Sequence, residues 1–536
     1  MKYLLSAKSI KANDDYTVST GIDGQELISR AAAAVLDALQ MGGYDLSVPC
    51  ILCGSGNNGA DGFALAQMLV QNGSNACTVY LGKLYEPTPE PKKKKKNQPE
   101  VPAIDPDLIG KPNPEAMSDA CRARYEQALA AGIPVLTELP DFASVYVDAV
   151  IGTGMHGAIQ CARMIDAFDK VNAAGVPVVA VDVPSGLNSD TGAVDAHTLR
   201  ANETVTVQSL KTGLVLYPGA ELAGKVTVAD IGIEAAPDFA PDALVLEDTD
   251  AAALIPARPT RSCKGTFGRV LVVCGTPGMA GAAYLAAMGA YRAGAGLVEI
   301  LTHAQNRVVL QQLIPEAVIT TYFGKKGLGK TVKTAVAGAD AVVVGCGLGQ
   351  SKLAGKVLKT VLKTAKIPCV VDADALNMIA SKPALLKSVN KKQKPQVIIT
   401  PHVGEAARLL GKKTTVDTVL ADLYTAAGAL YDKFGTTVVL KDARTLIRTA
   451  DGKYYVNETG STALATAGSG DVLAGVIGGT LAAKTRTATP GQTAALGVYL
   501  HGKAGEKAAE AVGERAAMAR DILDGLTESY KKDGVT

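Results

Sequence analysis

Tryptophan is missing from the 536 residues and phenylalanine occurs only 7 times. A core of stacked aromatic rings is thereby excluded, and the plentiful Ala, Val and Gly suit helices packed closely on a parallel sheet. No stretch of about 18 uncharged apolar residues occurs, which excludes a transmembrane helix. The opening run Met1-Lys-Tyr-Leu-Leu is too short for a signal peptide, so a cytoplasmic protein is expected. A formal net charge of only +2 gives no field for a polyanion, and neither nucleic acid nor membrane is an expected partner. The 9 cysteines are scattered, several within apolar runs, as reduced thiols in a cytosolic chain. Cys50 and Cys53 form a C-x-x-C with no second pair, inside what reads as a strand.

A chain of this length exceeds one hydrophobic core and divides into domains. From Leu46 to Ile231 short β-branched runs alternate with Ala/Leu-rich helical stretches, the pattern of βαβ units. Strands are predicted over Val48 to Cys53, Ala76 to Leu81, Ser144 to Ile151, Val176 to Val181 and Glu203 to Val207, with a helix from Phe63. The rhythm restarts at Arg269 and continues through Ala341 to Gly345, Pro368 to Asp372, Val397 to Thr400 and Thr437 to Lys441. Between the two series, Ala235-Ala-Pro-Asp-Phe-Ala-Pro-Asp has the composition of a linker. The expected organisation is therefore 1–240 and 241–536, both α/β. A proline-rich stretch from Glu86 to Pro114, with Lys92 to Lys96 inside it, reads as an exposed insertion.

In the first half, a strand runs directly into Gly54-Ser-Gly-Asn57-Asn58-Gly59-Ala60-Asp61-Gly62. Backbone N–H groups at a helix start, facing a sheet's carboxyl edge, collect anions. The dinucleotide fingerprint G-x-G-x-x-G also demands an acidic residue about 20 positions later, and none lies between Phe63 and Tyr85, which weakens an ordinary dehydrogenase. Two further strands end in polar residues, at Asp148 and at Asp182-Val-Pro-Ser185. Parallel strands present their carboxyl ends together, so Asn58, Asp148, Asp182 and Ser185 are expected to converge, and their oxygen atoms suit a hard cation.

The motifs G-x-G-N-N-G-x-D-G, D-A-x-x-G-T-G and V-D-x-P-S-G, in this order, resemble the epimerase domain of NAD(P)H-hydrate repair enzymes, from about Met1 to Gly232. The resemblance takes in Gln208-Ser-Leu-Lys211-Thr-Gly and Asp230-Ile-Gly-Ile. It implies that Asn57, Asn58, Gly59, Ala60, Asp61, Gly152, Thr153, Gly154, Met155, His156, Gly157 and Ala158 bind hydrated nicotinamide dinucleotide, with Asp182 beside the reacting ring. It also implies a potassium ion on Asn58, Asp148 and Ser185. Ala60 stands where the family usually has Gly, and Ser29 where its N-terminal helix usually has Glu. Epimerisation requires the 6-hydroxyl to leave and return, or the ring to open and reclose, with Asp182 shuttling the proton.

The second half carries Ala465-Thr466-Ala467-Gly468-Ser469-Gly470-Asp471, followed at once by a small-residue helix. Glycines let the chain wrap a phosphate at the helix start. Asp471 falls in the first turn, where the helix dipole favours the carboxylate and aims it as a base at a substrate hydroxyl. Polar residues follow the other strand runs too: Gly345-Cys-Gly347-Leu-Gly349, Asp372-Ala-Asp374-Ala-Leu-Asn377, Thr400-Pro-His402-Val-Gly404-Glu405 and Lys441. His402 reads as a polar contact, because no other histidine is near it in sequence.

In order and spacing this half resembles the ribokinase-like fold, and within it the nucleotide-dependent NAD(P)H-hydrate dehydratases, from about Leu244 onwards. The fold class implied is α/β with two domains, an N-terminal Rossmann-like three-layer αβα domain and a C-terminal ribokinase-like domain, fused as in bifunctional repair enzymes. The resemblance implies that Ala283, Gly347, His402, Val403, Gly404, Glu405, Ala406, Ala407, Arg408 and Asp471 contact the hydrate. It places ADP or ATP, with Mg²⁺, on Lys441, Asp442, Ala443, Arg444, Thr445, Ser461, Thr462, Ala463, Leu464 and Ala465 to Gly470. Asp442 stands where the family usually has Gly. The implied reaction has Asp471 deprotonate the C6 hydroxyl, the nucleotide phosphorylate it, and phosphate leave. A homo-oligomer acting on small molecules is expected. Two rival readings remain at this point: a vitamin or thiazole kinase with an N-terminal ligand-binding module, and a first domain that only binds, as in messenger-decapping scaffolds.

Overall fold

Alternating apolar runs become parallel strands wherever a helix covers both faces of the sheet, and both series of runs do so here. The computed structural model describes residues 1–86, 105–155, 157–387, 389 and 396–532. Two compact units result, one of Leu4–Pro241 and one of Asp242–Thr536 with Met1–Tyr3.

In the first unit, Pro49–Cys53, Cys77–Tyr80, Val145–Ala149, Val178–Val181 and Glu203–Val207 form strands, joined by Val135–Leu136 and Lys225–Ala229. All pairings in this seven-stranded sheet are parallel. From Pro49–Cys53 the chain builds outward through Cys77–Tyr80 to Val135–Leu136. It then returns to Val145–Ala149 on the other side and builds the opposite way. The strand order therefore reverses between Pro49–Cys53 and Val145–Ala149, and ligand crevices of open α/β sheets lie outside the carboxyl ends at such a reversal. The core on one face gathers Phe63, Leu65, Tyr80 and Val147, all fully buried. The Lys92 to Lys96 run lies outside the described residues.

The second unit repeats the device. Its strands run spatially Val318–Tyr322, Leu297–His303, Arg269–Val273, Ala341–Val344, Cys369–Val371, Val397–Ile399 and Thr437–Leu440, all parallel. An antiparallel pair, Leu446–Arg448 and Tyr454–Val456, extends the edge. Here the order reverses between Arg269–Val273 and Ala341–Val344. The helix Ser469–Ala482 lies across this sheet with twelve buried residues, and small residues explain how it fits. A Cβ on Gly475 would lie 2.1 Å from Ala286 O, and one on Gly478 would lie 2.3 Å from Val343 Cγ2. Glycine thus lets the helix sit directly on both the Ala280–Arg292 helix and the sheet. No helix among the described residues is long and apolar enough to cross a membrane.

Candidate active sites

At the reversal in the first unit, Gly54 and Val150 follow adjacent strands. A Cβ on Gly54 would lie 2.0 Å from Val150 O, so only glycine permits this approach. The next helix begins at Asn57, earlier than the Phe63 start read from the sequence. Gly56, extended, precedes the first turn, and the loop motif itself winds into helix. Ala60 N–H is already bonded to Gly56 O at 3.2 Å. The amides of Asn57, Asn58 and Gly59 have no carbonyl one turn back in the helix, the arrangement that suits an anion. Ala60 is fully buried and contributes packing instead.

A cavity of about 710 Å³ opens here, lined by Asn57, Asn58, Asp61, Gly152, Thr153, Gly154 and Asp182. Gly59, Ala60, Met155, Gly157 and Ala158 are off this lining; Met155 is buried, whereas Gly157 and Ala158 are exposed. His156 lies outside the described residues. Asp182 has φ +68°, the left-handed region that a non-glycine residue occupies only when its surroundings hold it there. Val183 N–H closes onto Val181 O at 2.8 Å, a three-residue turn centred on Asp182. Lys211, with a side chain 1% exposed, reaches Asp182 Oδ1 at 2.5 Å and Val207 O at 2.7 Å. Val207 N–H donates to the same carboxylate oxygen at 3.1 Å.

Asp148 and Ser185 are fully buried and meet directly. Ser185 donates its hydroxyl to Asp148 Oδ1 at 2.6 Å and its N–H to Oδ2 at 2.7 Å. Burial pushes the Asp148 carboxyl up to about 6, while the hydrogen bonds from Ser185 and Val150 act in the opposite direction. Among the described residues no cationic side chain pairs with it. Asn58, almost buried, has its Nδ2 without a partner. Asn58 and Asp182 both flank Gly152, 3.5 and 3.4 Å from where its Cβ would stand. An uncompensated buried carboxylate beside hydroxyl and amide oxygens fits a monovalent hard cation.

Ser29, the family departure on the N-terminal helix, accepts from Arg124 Nη2 at 2.7 Å. Arg124 in turn acts on Asp61, whose carboxyl burial and Asp182 drive well above the ordinary range while Arg124 opposes the rise.

In the second unit the carboxyl-edge residues converge more tightly. Lys441 Nζ meets Asp372 Oδ1 at 2.9 Å, and Thr400 Oγ1 donates to the same oxygen at 2.8 Å. A Cβ on Gly470 would lie 3.3 Å from that Lys441 nitrogen, so the phosphate-type loop and the lysine share one corner. Donor atoms of Cys346, Asp372 and Asp471 lie within 4.8 Å of one another. Thiol sulfur is a poor ligand for Mg²⁺ and Asp372 is already paired with Lys441, so this trio does not fit that ion.

Asp471 sits in the first turn of Ser469–Ala482. The helix dipole alone would favour its ionised form, but burial dominates and, with Asp372, lifts the carboxyl to about 6. That value leaves it ionised at neutral pH yet basic enough to accept a proton. Behind the loop, the buried His501 places Nε2 3.0 Å from Ser469 O and 3.2 Å from Ser469 Oγ. Burial depresses its pKa to about 4, which leaves a neutral ring able to donate to the carbonyl.

Ala283 is fully buried on the helix beside Gly275, and Gly347, φ +56°, packs against Ala282 and Met279. His402 caps its own helix: Gly404 N–H donates to Nδ1 at 3.0 Å, and Glu405 Oε2 accepts from His402 N–H at 3.0 Å. Gly404, Ala407 and Arg408 line a second cavity of about 770 Å³ with Asn377 and Lys412. Ala406, fully buried, and Val403, half-buried, are off that lining. Of the residues expected to hold nucleotide, Lys441 and Gly470 meet at one corner. Thr445 bonds Asp442 O at 3.3 Å, Arg444 bonds Glu458 O, and Ser461 bonds Gly505 O at 3.2 Å. Ser461 also caps the short turn Thr462–Leu464 that leads into the loop.

Four residues at these sites were not singled out from the sequence as site residues: Asp14, Lys211, Asp372 and Asp374. Asp374 Oδ2 accepts from Gly349 N–H at 2.8 Å, and Ala373 beside it has φ +49°. Asp372 and Asp374 end a strand run, and Lys211 lies in a quoted segment, so each had a signal. Asp14 sits on a helix with no motif.

Comparison with known proteins gives two family-model matches: residues 24–213 to "YjeF-related protein N-terminus" and residues 270–528 to "NAD(P)H-hydrate dehydratase". A bifunctional NAD(P)H-hydrate repair enzyme Nnr of Coxiella burnetii is 34% identical, covering 98% of this chain and 99% of its own length. Another of that name, from Moorella thermoacetica, is 35% identical over 89% of this chain and 86% of its own. A crystal structure of the ADP/ATP-dependent NAD(P)H-hydrate dehydratase from Bacillus subtilis covers 54% of this chain and 97% of its own, with 29% identity and a TM-score of 0.45.

Proposed function

The chain belongs to the bifunctional NAD(P)H-hydrate repair enzymes, and from that membership we propose how the work is divided between its two units. The Leu4–Pro241 unit interconverts the R and S epimers of hydrated NADH and NADPH. The Asp242–Thr536 unit dehydrates the S epimer at the expense of ADP or ATP.

In the first unit the substrate occupies the 710 Å³ cavity, with its phosphates toward the amides of Asn57 and Asn58 at the helix start. Asp182 takes the proton of the C6 hydroxyl, and Lys211 and Val207 N–H hold the carboxylate in place for it. Asn58, Asp148 and Ser185 would hold a potassium ion, which supplies positive charge beside the buried Asp148 carboxylate.

In the second unit Asp471 removes the C6 hydroxyl proton as the oxygen attacks the terminal phosphorus of the nucleotide, whose bond to the bridging oxygen breaks to release ADP from ATP or AMP from ADP. The hydroxyl, a poor leaving group, becomes a phosphate ester. Phosphate then departs with its electron pair, and loss of a C5 proton restores the ring double bond. The amides at the start of Ser469–Ala482, together with Lys441, stabilise charge on the phosphoryl group in flight. Mg²⁺ would ride on the nucleotide phosphates.

The observation that carries this reading is Asp471, a carboxyl lifted to about 6 at the start of a buried helix, in the same corner as Lys441 and Gly470. Its nine cysteines are all free thiols, which supports a cytoplasmic setting. The test incubates purified protein with mixed hydrate epimers and ADP or ATP and follows NADH absorbance. Both epimers should be consumed with nucleotide present. Consumption of the S epimer alone removes the epimerase assignment, and a stable phosphorylated vitamin product in its place removes the dehydratase assignment.

A further inference from the structure

The helix Ala7–Ser19 carries Asp14 to the wall of the first unit's cavity, where it joins Asp61, Asp182 and Lys211. Its Oδ1 is closed off from solvent and has no hydrogen-bond partner. Asp182, across the same space, has its Oδ1 held by Lys211, Val207 N–H and Thr206. A second unmet polar atom, Nδ2 of Asn58, belongs to a side chain on the same lining that is 9% exposed. Buried polar groups normally find partners, so an unmet carboxylate oxygen and an unmet amide on one cavity mark where a polar ligand completes the bonding.

We propose that Asp14 is a second catalytic carboxyl of this site, exchanging a proton with the ring nitrogen N1 of the hydrate while Asp182 exchanges one with the C6 hydroxyl. The proposal rests on the epimerase assignment of this unit. Asp182 takes the hydroxyl proton, C6=O forms, and the C6–N1 bond breaks with its electron pair passing to N1. N1 takes a proton from Asp14. Rotation about C5–C6 turns the other carbonyl face to N1, and the reverse steps close the ring. Asp14 recovers its proton from N1, and Asp182 returns one to the oxygen. Nothing is oxidised and no co-reactant is consumed, which suits an isomerisation.

The surroundings separate the roles of the carboxyls. Burial lifts the Asp14 carboxyl to about 6; Asp182 and Asp15 push the same way, Lys211 and Lys11 the other. A group in that range both gives and accepts a proton near neutral pH. Asp61, on the same lining, is also raised, by burial and by Asp182, with Arg124 opposing the rise.

The test is Asp14→Asn in the full chain, with conversion of pure R hydrate to the S form followed by chiral chromatography. The expected result is a kcat about 10²- to 10⁴-fold lower with KM nearly unchanged. Because the step requires protonated Asp14, wild-type kcat should fall as pH rises through about 6, and this limb should vanish in Asp14→Asn. Asp14→Glu should keep the limb at a reduced rate, which a merely structural residue would not do. A variant Asp14→Asn with wild-type kcat and pH profile overturns the proposal, as does one in which only KM rises. A wild-type chain that does not epimerise at all removes the epimerase assignment instead.

Discussion

Lys211 Nζ stands 2.5 Å from Asp182 Oδ1, a buried cation tied to a carboxylate whose backbone φ is +68°. The lysine also ties the preceding strand end through Val207 O at 2.7 Å, so one ammonium fixes both the strained turn and the strand it faces. Removing one partner of such a pair leaves a charge with little solvent, which typically costs about 3–5 kcal/mol. Lys211→Met should therefore lower the stability of the first unit by that order in urea unfolding and depress epimerisation, with dehydration of the S epimer preserved. A variant that unfolds at the wild-type urea concentration would show that the pair does not brace the site.

Asp471 carries the prediction for the second unit. Exchange for Asn keeps its shape at the helix start but removes the base, so dehydration should fall about 10²- to 10⁴-fold while hydrate and nucleotide still bind. The wild-type rate should have an acid limb as well. Burial and Asp372 raise the carboxyl to about 6, and only the ionised form accepts the hydroxyl proton, so kcat rises with pH through about 6 and then levels. Stopped-assay profiles between about pH 5 and 8 check the sign. A rate that is flat across that range removes Asp471 as the base.

The strands legible in the sequence were so because their signal is local, whereas Leu297–His303, Val318–Tyr322 and Lys225–Ala229 were not read from it. Every parallel strand of the first unit that ends at the site, from Pro49–Cys53 to Glu203–Val207, coincides with a β-branched run bounded by turn residues. The start of Asn57–Gln71 was not legible, because paired Asn and Gly residues read as loop until Gly54 is seen pressed against Val150 O. Asp182 was visible as a strand-end acid; its left-handed backbone and its lysine, 29 residues away, were not. Asp14 was invisible for a related reason. It lies on a helix with no apolar stripe, whose buried residues are Asn13 and Thr17, and only the tertiary fold brings its carboxyl to the same cavity as Asp182. Asp471 was read correctly in position, but burial, which no local pattern reports, outweighs the dipole in setting its proton affinity.

Asp442 follows the cationic Lys441 and is half-buried, and burial lifts its carboxyl above the ordinary range. Whenever that carboxyl is ionised it repels any polyphosphate that approaches Lys441, an effect the raised proton affinity weakens as the pH falls. One extra negative charge at a few ångström near a protein surface opposes binding by about 1 kcal/mol or more. Asp442→Gly should therefore tighten ADP and ATP binding about fivefold or more, measured by calorimetry without hydrate. Weaker binding in that variant would mean that the carboxylate serves the nucleotide site, for instance by orienting Thr445, whose hydroxyl bonds the Asp442 carbonyl.

The close seating of Ser469–Ala482 makes the last test one of packing rather than chemistry. A Cβ at Gly475 would lie 2.1 Å from Ala286 O, a backbone atom that cannot rotate aside. A Cβ at Gly479 would lie 2.4 Å from Ala290 O on the same contact, so side chains along this face would force the two helices apart along their length. Overpacking of this kind costs about 1–3 kcal/mol, more when backbone must shift. Gly475→Val should accordingly lower the melting temperature of the second unit. The same separation tilts the first turn, so Asp471 and Gly470 move relative to Lys441 and kcat for dehydration drops before the unit unfolds. Epimerisation, carried by the other unit, supplies the internal control. If Gly475→Val lost stability with dehydration intact, the helix start would be anchored by the loop and His501 rather than by the helix contact.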